Sequence, residues 1–223
     1  FKKFAVEKDV EPGRIGIIGA TPLEFGGIYE EDFLKKYFVG KGFSKVVCYG
    51  MGDGLDAVRE AAAAEKNIVV SPAGIVAAKY LQQKFGTPYE LFCPPEIIPE
   101  WKEKKEQIEL QMQKEQPAES LDMREVSEKK ILIVHQQVLA NTLREEFISA
   151  NINVASWFMM NKEQKKEQDI LFKEEDDWIT YIKENEYDII IADSLLKKAV
   201  PFYKGEWYDL PHFAISGKKR QSV

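Results

Sequence analysis

Cysteine and histidine are scarce in this 223-residue chain: it has only Cys48 and Cys93, His135 and His212. Two thiols far apart in sequence cannot build a disulfide scaffold, and they are too few to hold a metal cluster or a zinc ion within one chain. They read as reduced, partly buried thiols. No apolar run approaches the ~20 residues that cross a bilayer, and Phe1-Lys2-Lys3-Phe4 lacks the apolar core of a secretion signal. A cytoplasmic protein with no membrane partner is therefore expected. Basic residues are outnumbered, 31 Lys plus Arg against 37 Asp plus Glu, for a net charge of -6. No basic run precedes the short tail Lys218-Lys219-Arg220, so nucleic acid is not an expected partner. A Walker phosphate loop and a G-x-S-x-G nucleophile elbow are also missing, which removes the usual signatures of P-loop enzymes and α/β-hydrolases. Because the first residue is Phe1 and not Met, the chain reads as part of something longer.

What the sequence does contain is apolar and aromatic: 44% hydrophobic residues, with 13 Phe, 9 Tyr and 4 Trp. A chain of this length can bury roughly 70% of its unfolded surface, so it needs neither disulfide nor metal to fold. The apolar runs are short, rich in Val and Ile, and separated by helical patterns, as in a buried parallel sheet with crossover helices. In the first half, strands are expected at Arg14 to Gly19, Lys45 to Tyr49, Asn67 to Ser71 and Pro88 to Phe92. Helices are expected at Glu30 to Val39, Leu55 to Glu65 and Pro72 to Phe85, with Pro72 near the start of the last and Gly86 as its stop. The second half repeats the plan, with strands at Lys130 to His135, Asn153 to Phe158, Tyr187 to Ala192 and His212 to Ile215. Its helices fall at Gln137 to Ala150, Asp176 to Asn185 and Ser194 to Val200. The alternation predicts an α/β protein of two Rossmann-like three-layer domains, each with a mostly parallel four-stranded sheet. They span residues 1–95 and 129–223. A helical connector over 96–128, with a charged helix from Glu96 to Gln116, is expected to pack on one of them through a partial apolar stripe. The charge-dense insert Asn161 to Asp177 reads as a solvated helix or loop.

In open α/β sheets, ligands bind beyond the carboxyl ends of the strands. That rule selects Ala20-Thr21-Pro22, Gly50-Met51-Gly52-Asp53-Gly54, Ser71-Pro72-Ala73-Gly74, Phe92-Cys93-Pro94, His135-Gln136-Gln137, Asp193-Ser194 and Ser216-Gly217. The Gly50 to Gly54 run is a poor dinucleotide fingerprint: its third glycine falls early and it follows the second strand. It reads as a strand-to-helix turn with Asp53 near the cap. Gly16 and Gly19, inside the first strand, read as positions of close backbone packing. His135 ends a strand where it could reach the cleft between domains, while His212 reads as structural. A triad of His135 with Ser71 lacks its elbow motif, and a metal site on His135 and Asp193 lacks recognised ligand spacing. Asp193 reads as a turn or helix cap.

Asn67-Ile68-Val69-Val70-Ser71-Pro72-Ala73-Gly74, leading through Ala77-Ala78-Lys79-Tyr80-Leu81 to Lys84-Phe85-Gly86-Thr87-Pro88-Tyr89, resembles the nitrogenase component 1 superfamily. That superfamily includes the nitrogenase α and β subunits, their cofactor-assembly scaffolds and the protochlorophyllide reductase subunits. Ile15 to Gly19, Lys129 to Val134, Tyr187 to Ser194 and Leu210 to Phe213 agree with it, from Arg14 to Gly217. The resemblance implies the carboxy-terminal two of three Rossmann-like domains, without the amino-terminal one whose cysteines hold an iron–sulfur cluster. It implies an oxidoreductase, served in full length by an ATP-dependent reductase and a homologous subunit in a homo- or hetero-oligomer.

The departures are specific. The family's cofactor-ligating Cys falls at or beside Ser71, and its cofactor-ligating His at or near Ser216, so an iron–molybdenum cofactor held in that manner is not expected. Cys93, just past the Phe85-Gly86-Thr87-Pro88-Tyr89 stretch, could move into the cleft as a substitute thiolate. The cofactor of this chain stays open, with no cluster expected in the fragment itself. A second reading is a binding or scaffold module that holds a metal chelate, tetrapyrrole or anionic metabolite between the lobes. Its contacts would come from Thr21, Ser71, Cys93, His135, Ser194 and Ser216. A transferase acting on a sugar nucleotide would show a phosphate-binding glycine loop opening the second half, where His135-Gln136-Gln137 stands instead.

Overall fold

The computed structural model describes residues 1–26, 30–113, 127–147 and 150–217. Its first lobe is a sheet of β1 (Glu11–Ile18), β2 (Lys45–Cys48), β3 (Ala64–Val69) and β4 (Tyr89–Leu91) in the order β2-β1-β3-β4. Every pairing is parallel. Burial on both faces explains the near-continuous apolar runs: Ile15, Ile17, Ile18, Ile68, Val69 and Val70 are almost fully enclosed. Helices α1 (Pro22–Phe25), α2 (Glu30–Gly40), α3 (Leu55–Arg59) and α4 (Ile75–Phe85) connect the strands. Gly86, at φ 75°, stops α4 as expected.

The second lobe departs from expectation in strand number. It is a five-stranded parallel sheet, ordered β7-β6-β5-β8-β9. Its strands are β5 (Ser127–Val134), β6 (Ala150–Ser156), β7 (Ile170–Leu171), β8 (Ile189–Ala192) and β9 (Glu206–Asp209). The expected last strand, His212 to Ile215, is instead the short helix α9 (Phe213–Ser216). The His212 ring caps that helix by accepting from the Ala214 N–H at 3.2 Å, and Gly217, at φ 65°, ends it. Phe213-Ala214-Ile215 has an apolar run but no strand beside it to pair with. β9 takes the edge, and Trp207 Nε1–H donates to Ala192 O at 3.1 Å. Within the charge-dense insert, β7 pairs with β6, and α7 (Glu175–Glu184) opens with a reciprocal capping box between Glu174 and Asp177.

Two expected helices are shorter. The Leu55 to Glu65 segment breaks after Arg59 into a 3₁₀ turn, Ala61–Ala63, and Ala64 already belongs to β3. Those alanines are almost wholly buried, so their smallness serves close packing and not helix propensity. Likewise α6 (Gln137–Glu145) ends well before Ala150, which starts β6; α8 (Ser194–Ala199) matches expectation. Connector residues Lys114 to Gln116 and the basic tail Lys218 to Arg220 lie outside the described residues.

The connector helix α5 (Trp101–Gln113) also differs from expectation, because it does not serve one lobe alone. Ile97, Ile98, Trp101, Ile108 and Met112 belong to a single apolar cluster that includes Ile15 and Ile17 of β1 and Ile131 and Ile133 of β5. Trp101 packs edge-on to Phe147 at 6.1 Å and donates its indole N–H to Glu146 at 2.8 Å. One side of the junction is therefore a shared core, where each fully buried aliphatic side chain contributes about 1.5–3 kcal/mol.

In the first sheet, Gly16 is paired with Asn67, and a Cβ there would lie 2.3 Å from both Asn67 Oδ1 and the Tyr49 ring. Gly16→Ala should therefore cost about 1–3 kcal/mol of unfolding free energy by overpacking, measured by urea denaturation. An unchanged midpoint would show that the neighbours give way freely.

Candidate functional site

The carboxyl ends of the two sheets meet in a polar seam. On the first lobe, Gly19 sits at φ 91°, where a Cβ would come 2.9 Å from Gly74 N and Ser71 O. That closeness lets Ser71 Oγ donate to Gly19 O at 2.6 Å. Thr21 Oγ1 accepts from Glu24 N at 3.4 Å, and with Pro22 at the first helical position it starts α1 and aims Glu24 across the seam.

On the second lobe, Asp193 is fully enclosed and accepts from three donors. Its Oδ1 takes the Leu195 N–H at 2.8 Å; its Oδ2 takes the His212 N–H at 2.9 Å and the Ser216 hydroxyl at 2.5 Å. These three bonds fill the lone pairs of a carboxyl group that is wholly removed from solvent. They also fix α9 and with it the His212 ring. Because Nδ1 of His212 accepts from Ala214, the ring proton is assigned to Nε2, which donates to Glu24 Oε2 at 3.3 Å.

His135 lies against His212, with ring centroids 4.5 Å apart, and its Nε2 donates to Pro211 O at 3.4 Å. Phe158 stacks on the other imidazole, its centroid 4.2 Å from that of His212 at an interplanar angle of 15°. Gln136 crosses from one lobe to the other: its Nε2 donates to Val70 O at 2.9 Å while its Oε1 accepts from Val138 N. Ser71, His135, Gln136, Asp193 and His212 are all at most 1% exposed, so the seam is closed.

Of the residues the sequence selects, Thr21, Ser71, His135 and Ser216 take part in this seam. Ser194 stands at the same strand end, where its N–H donates to Asp209 Oδ1 at 2.7 Å as α8 begins. Cys93 does not come to the seam. It packs in the shared apolar cluster on the connector side, with its N–H donating to Thr142 Oγ1 at 3.4 Å. The expected cap role of Asp53 is also replaced: its carboxylate accepts from Cys48 N at 2.7 Å and pairs with Lys35 at 2.8 Å. His212 has a structural part, as expected, but it is also half of the imidazole pair. Glu24 and Phe158 were missed, although Thr21-Pro22-Leu23-Glu24 carries the S/T-x-x-E spacing of a capping box and could have flagged Glu24; Gln136 stood among the strand-end residues but without a part in the site.

A cluster cofactor does not fit this donor set. Ser71 and Ser216, where the resemblance leads one to seek a thiolate and an imidazole, have hydroxyls engaged with Gly19 O and Asp193. Both thiols are fully buried, and burial pushes Cys48 up to about 12, against the pull of the Lys35 ammonium, so it stays a thiol. Among the described residues, no three or more His, Cys, Asp and Glu are arranged to hold a metal ion. No helix of the described residues is long and apolar enough to cross a membrane.

No family description and no curated protein matches the chain. Solved structures do. Nitrogenase Cp1 at pH 6.5 aligns with a TM-score of 0.53 at 13% identity, covering 94% of this chain and 55% of that one. Nitrogenase Cp1 at pH 5 aligns with a TM-score of 0.48 at 12% identity, covering 95% and 53%. The chain thus spans about half the length of each. The first likeness establishes the nitrogenase component 1-like α/β fold expected from the sequence; at this identity it speaks for the fold alone.

Gln136→Leu should remove a buried bond between the lobes and leave Val70 O bare, costing about 1–3 kcal/mol. Lys79→Ala, which breaks the solvent-exposed pair to Glu163, should cost distinctly less. Chemical denaturation of the two variants beside the parent checks the contrast, and equal losses would contradict it.

Proposed function

We propose that the chain is a binding module of nitrogenase component 1 architecture that takes a metal-centred planar chelate of tetrapyrrole type between its lobes. It does not ligate an iron–sulfur or heterometal cluster through its own thiols. The observation that carries this reading is the meeting of the chain's two histidines at the seam, with Phe158 stacked on one of them. An imidazole is a good axial donor to a chelated metal, and an aromatic ring is a good face for a planar macrocycle. The named carboxylates at the seam, Glu24 and Asp193, disfavour an anionic metabolite, because no Lys or Arg balances them in the contacts described. Entry requires the lobes to part on the polar side. There the bonds that yield are Gln136 to Val70 O, His212 to Glu24 and the exposed Lys79–Glu163 pair, while the apolar connector side serves as the hinge.

A redox reading draws support from the fold likeness to nitrogenase Cp1. On that reading the chain belongs to a longer oxidoreductase with a cluster held outside the described residues, and its partners are an ATP-dependent reductase and a homologous subunit. Ser71 and Ser216, standing where the resemblance leads one to seek a thiolate and an imidazole, weigh against it.

Titration of the anaerobically purified chain with zinc protoporphyrin and with hemin, followed by visible absorbance, separates the two. Saturable binding is expected, weakened at least about tenfold by His135→Ala or by His212→Ala. No saturable binding of either compound would end the proposal, and stoichiometric iron with acid-labile sulfide in the purified chain would favour the redox reading.

A further inference from the structure

Three of the four tryptophans form one series of packed rings through the second lobe. Trp157 follows β6 and precedes Phe158, the ring stacked on His212. Its centroid is 5.8 Å from that of Trp178 in α7, which lies 6.3 Å from Trp207 in β9. Trp207 is in turn 6.1 Å from Tyr203. The series therefore begins at the carboxyl end of the second sheet, on the seam side, and finishes at the amino end of β9. Phe172 packs along it, 4.8 Å from Trp157 and 6.0 Å from Trp178. Trp101, the fourth tryptophan, lies apart on α5 with Phe147 as its ring neighbour.

Any large apolar ring could fill this core, so packing alone does not ask for indoles. Indole and phenol, unlike the Phe ring, give up one electron to a strong oxidant, and rings in contact pass the resulting hole between them. What becomes of a hole depends on the proton of the ring that carries it. Here each indole N–H donates to a backbone carbonyl: Trp157 to Glu174 O at 3.3 Å, Trp178 to Leu196 O at 3.3 Å and Trp207 to Ala192 O at 3.1 Å. A carbonyl accepts a hydrogen bond without taking the proton, and Trp178 is 1% exposed, so water does not take it either. The hole thus stays free to move. The Lys197 ammonium, 5.9 Å from the Trp207 centroid, disfavours positive charge resting on that ring and pushes it onward. Tyr203 is the place where it can stop. Burial, and then the carboxylates of Asp188 and Glu206, push its pKa up, so it rests as a neutral phenol. Its O–H donates to Glu206 O at 3.2 Å at the surface, where solvent can accept the proton once the electron has left.

We infer that Trp157, Trp178, Trp207 and Tyr203 form a relay that carries an oxidising equivalent from the seam side of the second lobe to the surface at the amino end of β9. A one-electron oxidant of the strength of a ruthenium(III) polypyridyl takes an electron from Trp157 and is itself reduced by one electron. Trp178 then refills Trp157, Trp207 refills Trp178, and Tyr203 refills Trp207. Tyr203 releases its phenolic proton to solvent as its electron leaves. In sum, the oxidant gains one electron, and the Tyr203 phenol becomes a neutral phenoxyl radical and a free proton. The relay belongs to the second lobe alone and stands whatever the seam binds.

A ruthenium polypyridyl attached at position 159 supplies the oxidant for the test. Met159 is exposed and stands just past Trp157 and Phe158, and both native thiols are fully buried, so a thiol-reactive label on Met159→Cys is directed there. Flash photolysis with an external quencher converts the label to ruthenium(III), and transient absorbance follows its recovery and the appearance of phenoxyl radical. The labelled chain should form phenoxyl in a first-order step independent of protein concentration. Trp178→Phe and, separately, Trp207→Phe should lose that signal. Tyr203→Phe should lose it too and leave a persistent indole radical, whereas Trp101→Phe should change nothing. No phenoxyl in the labelled chain overturns the relay, and so does phenoxyl that survives Trp207→Phe or Tyr203→Phe, or that is lost in Trp101→Phe. Trp207 is half-buried on the edge strand, so its variant keeps the test sound if the core change at Trp178 prevents folding.

Discussion

The enclosed carboxylate of Asp193 is the constraint on which the seam depends. A buried charge is tolerated only when its lone pairs are filled, and here the filling donors come from the start of α8, from the backbone of His212 and from Ser216. Satisfying one ion thus fixes two short helices at once. α9 has too few residues to hold itself, and it is held by that carboxylate and by the ring that caps it. The ring in turn reaches Glu24, so an electrostatic requirement at the end of β8 propagates to the opposite lobe.

Much of the fold was legible because buried parallel strands leave a clear mark, as in Arg-Ile-Gly-Ile-Ile of β1 and Ile-Leu-Ile-Val of β5. What was misread shares one cause, which is that local apolar content does not reveal a partner strand. Phe213-Ala214-Ile215 looked like a strand and is a helix; Glu206-Trp207-Tyr208-Asp209, which was assigned to no element, is the strand beside β8. The alanine run from Ala61 to Ala64 looked helical, yet it was chosen for size against the sheet. At the site, the strand-end rule picked out Thr21, Ser71 and His135, which backbone topology places at the seam; Ser216 was chosen as the end of a strand that is the helix α9, and it reaches the seam through its bond to Asp193. The parts that Gln136 and Glu24 play across the seam needed knowledge of how the lobes face each other, and Phe158 carried no local signal. Cys93 shows the same limit from the other side: it follows a strand, but its loop turns into the core.

The relation to nitrogenase Cp1 illustrates how architecture and chemistry separate. The frame is kept over nearly the whole chain at 13% identity. Two serines stand where the resemblance leads one to seek soft and imidazole donors, and both are turned to internal hydrogen bonds that stabilise the frame itself. Imidazole character is found nearby in His135 and His212, whose rings meet on the loops of one lobe.

The contact between Glu24 and His212 joins residues 188 positions apart. So long a separation makes the contact a reporter of how the two lobes sit together and not of the fold of either one. Whatever shifts one lobe against the other registers at this clasp, while the sheets on either side stay whole.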